Sequence, residues 1–147
     1  MKDFVICLAL CVVTVAASAQ ELTSKEKATA AAIADSVSTY VAVAAGGVEL
    51  NPLVSANVGG LIFLAGVKLG ALELLENSDQ TAQEKTDQRR AATAMWSSFS
   101  ISNLMIALTA ATPLAIIAGI AGGSYLWTDT PAENDYPAEL LALAASE

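Results

Sequence analysis

Histidine is missing from all 147 residues, and cysteine occurs only at Cys7 and Cys11, near the start of the chain. Without histidine there is no Ser-His or Cys-His nucleophile pair, no His-ligated metal and no heme held through His. With both cysteines inside a segment expected to be removed on export, the remaining chain has no thiol, no disulfide and no thiolate metal ligand. No cofactor and no metal are therefore expected, and the chain is not expected to be an enzyme. Basic residues are also few: seven Lys and Arg stand against fifteen Asp and Glu, giving a net charge of -8. Phosphate-backbone binding needs a Lys/Arg surface, so nucleic acid is excluded as a partner.

Apolar side chains fill the composition instead. Hydrophobic residues make up 54% of the chain and charged residues 15%, and the mean hydropathy is +0.53. That balance is too apolar for an ordinary water-soluble domain, and the bilayer is the expected partner. The fold class expected is all-α: a polytopic membrane bundle of three or four transmembrane helices following an N-terminal signal segment.

The organisation expected is residues 1–19 as signal peptide, 20–128 as the transmembrane helical domain and 129–147 as an acidic C-terminal tail. Lys2, the apolar run Phe4 to Ala17 and the small residues Ala17-Ser18-Ala19 fit the positive start, apolar stretch and cleavage site of an export signal. The other reading is an uncleaved first span, although the run is shorter than the ~17 residues a bilayer needs. Lipidation at Cys11 is not expected, because Leu10 is too large just before it.

A first span is expected from Ala28 to Gly46, carrying Asp35, Ser36, Ser38, Thr39 and Tyr40. A central carboxylate costs about 3 kcal/mol on insertion, so this helix should enter the membrane together with a partner. Gly46-Gly47 begins a turn that runs through Glu49, Asn51 and Pro52, with Asn51 as cap and Pro52 at the first position of a helix from Leu53 to Leu75. Gly66-x-x-x-Gly70 in that helix has the spacing that lets membrane helices approach closely. The polar stretch Glu76 to Arg90 reads as a solvated loop with partial helical character. A third span is expected from Ala91 to about Ala111, with Trp96 as an interface anchor. Pro113 interrupts the pattern, and Thr112 to Trp127, with Ala115, Gly119 and Gly123 in small-residue spacing, gives a short fourth helix. One continuous helix from Ala91 to Trp127 would be about 55 Å long against a ~30 Å hydrocarbon core, which favours a hairpin near Ala110 to Pro113.

Polar side chains at membrane depth are costly and mark sites. Asp35 and Thr39 lie four residues apart on one helical face, with Ser38 beside them. Asn57 and Lys68, eleven residues apart, share a face of the next helix. Counted from the turn, Thr39 and Asn57 fall roughly 8–10 Å away, Asp35 roughly 17 Å and Lys68 roughly 24 Å. A Lys stem leaning back closes the last difference. Asn103 enters from the opposite side. Asp35 with Lys68, and Thr39 with Asn57 and Asn103, therefore form either a satisfied network holding three helices in register or part of a proton or ion path.

The pattern Asp35-x-x-x-Thr39, Gly47-x-Glu49-x-Asn51-Pro52, Lys68 and Asn103 resembles a family of small bacterial and phage membrane proteins catalogued as a domain of unknown function. The resemblance covers roughly Ile33 to Leu108, and the Glu-x-Asn-Pro turn is its most specific part. It implies a bacterial inner membrane, or the membrane of a phage-infected cell, and no biochemical role. The signal-like segment and the apolar stretch after Pro113 depart from that pattern.

The signal-led orientation is the one expected, with the Gly46 to Asn51 turn cytoplasmic and the Glu76 to Arg90 loop external, although the basic residues argue against it. Export of Gln20 would put Lys25, Lys27, Lys85, Arg89 and Arg90 outside the cytoplasm, against the positive-inside tendency. Three functional classes remain: a structural or partner-binding membrane protein that packs on itself or on a larger membrane partner, a holin-like pore former, and a minimal ion or proton conductor using Asp35 and Lys68. An intramembrane aspartyl protease would need two facing aspartates, whereas Asp35 stands alone at depth.

Overall fold

The computed structural model describes residues 22–47, 57–109 and 112–129. The expected signal peptide, the turn residues Glu49, Asn51 and Pro52, and the tail beyond 129 lie outside the described residues. Within them the chain is all-helical, with four helices: α1 (Ser24–Ala44), α2 (Val58–Glu76), α3 (Ala82–Thr109) and α4 (Thr112–Asp129). By length and composition, α2 and α3 could cross a membrane.

The helix ends follow from local chemistry. Thr23 caps α1 in a capping box: its hydroxyl accepts from Glu26 N–H, and the Glu26 carboxylate accepts from Thr23 N–H. Those bonds from the Thr23 backbone and hydroxyl hold the Glu26 carboxyl below the ordinary carboxylate range. At the far end Gly46 adopts φ +103°. Gly46 N–H then reaches Val43 C=O at 3.0 Å and Gly47 N–H reaches Ala42 C=O at 2.9 Å, the paired closure of a helix stopped by a left-handed residue. Glycine is required at that φ, and a Cβ on Gly47 would lie 2.8 Å from the Ala42 carbonyl oxygen.

α2 opens later than the sequence suggests. Its cap is Asn57, extended at φ -146° and ψ 177°, with the side-chain oxygen accepting from Gly60 N–H. The start expected at Leu53 falls among residues 48–56, outside the described residues. The stretch expected as a loop after Glu76 is mostly helix. Asn77 and Ser78 close α2 on the carbonyls of Glu73 and Leu75, and a second capping box, Thr81 with Glu84, starts α3. Polar residues here extend a helix beyond its apolar part, because a capping box and good helix formers outweigh low hydropathy.

α1 packs along α3 and α3 along α4, with α2 set against α1. The α3–α4 hairpin is antiparallel. Trp127 C=O accepts from Arg90, Gly123 sits on Ala94 and Ser98, Gly119 on Ser98 and Ser102, and Ala115 C=O accepts from Ser102. A Cβ on Gly123 would approach Ala94 O and Ser98 Cβ to 2.8 Å, and one on Gly119 would meet Ser98 O at 2.6 Å and collide with Ser102 Oγ. Small residues at these positions thus set the interaxial distance. Gly66 and Gly70, which carry the same spacing in α2, have nothing within 4 Å of a built Cβ. They face away from the other described helices, so the expected close approach through that pair does not occur among the described residues.

The apolar centre is small: Ala28, Ala31 and Ala32 of α1, Leu72 of α2 and Trp96 of α3, with Leu69 and Ala92 against them. Alanines on α1 let its backbone come close, and Trp96 fills the volume that remains. Trp96 is buried rather than placed as an interface anchor.

Candidate functional site

Asp35 sits on the inward face of α1, one turn beyond the alanine seam, and is 4% exposed. α2 runs antiparallel to α1 and brings Lys68 to it: Lys68 Nζ donates to Asp35 Oδ2 at 2.5 Å. Nζ also lies 3.4 Å from Ser36 Oγ and 6.0 Å from the centroid of the Trp96 ring. The ring face offers a cation a favourable apolar wall. Ser36 uses its own hydrogen on Ala32 C=O at 2.8 Å, which leaves its oxygen free to accept from the ammonium.

The second carboxylate oxygen is held from α3. Asn103 Nδ2 donates to Thr39 Oγ1 at 2.9 Å and lies 3.3 Å from Asp35 Oδ1 and 3.4 Å from Ser38 Oγ. Ser38 donates to Asp35 C=O at 3.0 Å and meets Ser100 Oγ at 3.1 Å. With the Ser38 hydrogen committed to that carbonyl, Ser100 is the donor across the pair. Three helices are thereby joined at one carboxylate: α1 supplies Asp35, Ser36, Ser38 and Thr39, α2 supplies Lys68, and α3 supplies Trp96, Ser100 and Asn103.

Of the residues singled out in the sequence, Asp35, Thr39, Lys68 and Asn103 are brought together. Asn57 is not. It caps α2, exposed and bonded to Gly60 N–H, because Asn at a helix start satisfies an otherwise orphaned backbone donor. Counting depth from Asn51 displaced it into the span; α2 begins only after Asn57, which removes the residue from the network. Glu49, Asn51 and Pro52 lie outside the described residues. Ser36 and Ser100 were missed as members, since a serine in a helix with no helical partner in the sequence gives no sign of which neighbour it faces. The spacing of Ser100 and Asn103, three residues apart on α3, was the available clue.

No family model matches the chain, and no curated protein and no solved structure matches it. The geometry therefore carries the reading alone. Among the described residues no group of three or more His, Cys, Asp or Glu converges to hold a metal. The carboxylate faces a lysine rather than a second carboxylate.

Apolar residues flank the network along α1 on both sides, while Thr39 and Asn103 are half-buried. Ala28, Ala31, Ala32, Leu72 and Trp96 pack on the side toward the start of α1. On the other side Val41 and Ala42 are buried, and Ile106 lies against the Gly47 turn. From Asp35 to Thr39 the network covers only ~6 Å of helix axis.

A second polar group lies at the end of the bundle where α1 begins. Arg89 Nε and Nη2 pair with the two oxygens of Glu76 at 2.8 and 2.7 Å, and Arg89 Nη1 reaches Ser24 Oγ at 3.3 Å. Lys85 Nζ donates to Glu76 C=O at 2.7 Å. Arg90 lies over Trp127, 5.4 Å from the ring centroid. These contacts join the beginnings of α1 and α3 to the ends of α2 and α4.

Proposed function

We propose that the chain is a small integral membrane protein, a bundle of three or four spans, that acts as a structural or partner-binding element and whose polar core locks its helices in register. The observation that carries this reading is the Asp35 carboxylate, buried and held at once by Lys68 from α2 and Asn103 from α3. A buried charge is tolerated when paired and hydrogen-bonded, and removing one partner is far more costly than the pair is favourable. Such a group specifies which helices sit together and at what stagger. The likeness to small bacterial and phage membrane proteins of unknown function belongs to the same proposal, as does residence in a bacterial inner membrane.

Large apolar side chains cover the outside. Ile62, Phe63, Leu74, Phe99, Ile117 and Ile120 are all more than half exposed, the outermost, Leu74, at 76%. Apolar surface on this scale fits lipid and further membrane helices, including other copies of the chain.

A conductor based on Asp35 and Lys68 is the second reading, favoured by the buried ion pair alone. The test is membrane potential, followed by dye fluorescence in bacteria induced to express wild type or Asp35→Asn at matched membrane levels. The structural reading expects an intact potential in both. Depolarisation by wild type alone points to conduction through Asp35, and depolarisation by both to a holin-like pore.

A further inference from the structure

Charge is distributed along the bundle in one direction only. Apart from the buried pair Asp35 and Lys68, every ionisable Asp, Glu, Lys and Arg side chain of the described residues belongs to the end formed by the start of α1, the α2–α3 connection and the end of α4. The basic members are Lys25, Lys27, Lys85, Arg89 and Arg90, which leaves only Lys2 and Lys68 elsewhere in the sequence. The described residues at the opposite end, 45–47, 57, 109 and 112–113, include no Lys or Arg, and the sequence that joins 47 to 57 and 109 to 112 adds none. Spans that alternate in direction already put these five basic residues on one side in the sequence, and the structure shows the alternation, with α1 and α3 parallel and α2 and α4 running back against them. Ser24 beside Arg89, Glu76 on Arg89, and Trp127 under Arg90 place all four helix ends together.

We infer that this charged end is the cytoplasmic end of the bundle, seated in the headgroup layer of the inner leaflet. The inference rests on the membrane reading proposed above. Lys and Arg close to the ends of spans are retained on the cytoplasmic side during insertion, whereas Asp and Glu contribute little. The acidic residues at the same end therefore do not offset the bias. Several are also occupied locally: Glu26 and Glu84 close capping boxes, and Glu76 pairs with Arg89. Tyr125 and Trp127, both well exposed, lie at this end, where amphipathic rings meet headgroups. Trp127 adds its ring to the Arg90 guanidinium.

This orientation and cleavage after Ala19 exclude one another. A chain whose Ser24 is cytoplasmic has not passed Ala19-Gln20 to an external protease, so the first nineteen residues stay attached.

The experiment places a single cysteine at Asp79→Cys, in the α2–α3 connection, or at Ala45→Cys, at the close of α1, in a full-length chain carrying Cys7→Ala and Cys11→Ala. Neither site removes a basic residue. A membrane-impermeant maleimide is applied to intact bacteria and to permeabilised ones, and alkaline carbonate extraction is run in parallel. The expected result is Ala45→Cys labelled in intact cells, Asp79→Cys labelled only after permeabilisation, and an intact mass that retains Met1 to Ala19. An embedded chain with Asp79→Cys labelled in intact cells, or with Ala45→Cys protected there, overturns the orientation alone. A chain released by carbonate overturns the membrane reading and the orientation with it.

Discussion

Lys68→Met and Asp35→Leu, made singly and together, separate the worth of the buried pair from the cost of breaking it. Lys68→Met takes the cation from a carboxylate that is 4% exposed, and a loss of about 3–5 kcal/mol is expected. The double variant replaces the pair by apolar groups of similar size and should recover most of that loss. Unfolding by SDS in mixed micelles measures both, and a double variant as unstable as the single would show that the pair is more than glue between helices. Asn103→Leu removes the donor to Thr39 and Asp35, and about 1–2 kcal/mol is expected from the range of interhelical hydrogen bonds in membranes. At this scale the sequence was partly legible. Asp35, Thr39, Lys68 and Asn103 stand out because polar residues in apolar helices are rare, whereas Asn57 misled because the same amide is equally suited to capping.

Glycine spacing looks alike in α2 and α4 and does different things. Gly119→Ala and Gly123→Ala push a methyl group into the α3 backbone and the Ser98 and Ser102 side chains, and each should cost about 1–3 kcal/mol by overpacking. Gly66→Ala and Gly70→Ala meet open space and should leave the monomer unchanged or more stable by up to ~1 kcal/mol through helix propensity. The same micelle titration ranks all four, and a reversed order would mean that the α3–α4 packing is not as described. Helix starts carry a further expectation. Thr81→Ala removes the cap of α3 and should cost about 1 kcal/mol. Glu26, whose carboxyl is held below its ordinary value of 4.5, supports the start of α1 only when ionised. Its contribution is complete above that value and is lost as pH falls through the lowered one, so amide protection factors at the first turn of α1, corrected for the intrinsic exchange rate, should fall in acid, and Glu26→Gln should remove that fall.

Among the described residues, the charged side chains occupy two separate places. A neutralised network lies inside, and a charged collar closes one end with Arg89 on Glu76 and Ser24. The residues expected as a loop form the first turns of α3, and from there Lys85 and Arg89 reach Glu76. The open face of α2, with Gly66 and Gly70 away from the other described helices, is where a further helix would find the least steric hindrance. Under the structural reading, large substitutions there disturb assembly and leave the fold of the single chain intact.

The sequence by itself determined the all-helical class, the apolar character, the break before Pro113 and the lack of His, since each follows from local composition and periodicity. It also marked Asp35 and Lys68, because a charge in an apolar run needs a partner. Only the tertiary structure decided that Trp96 is buried beside that pair, that Ser36 and Ser100 join it, that Asn57 does not, and that Arg89 and Arg90 clasp Glu76, Ser24 and Trp127 across the basic end. Those outcomes depend on which way each helix is turned and which neighbour it meets, and helical periodicity fixes a face without saying what the face will touch.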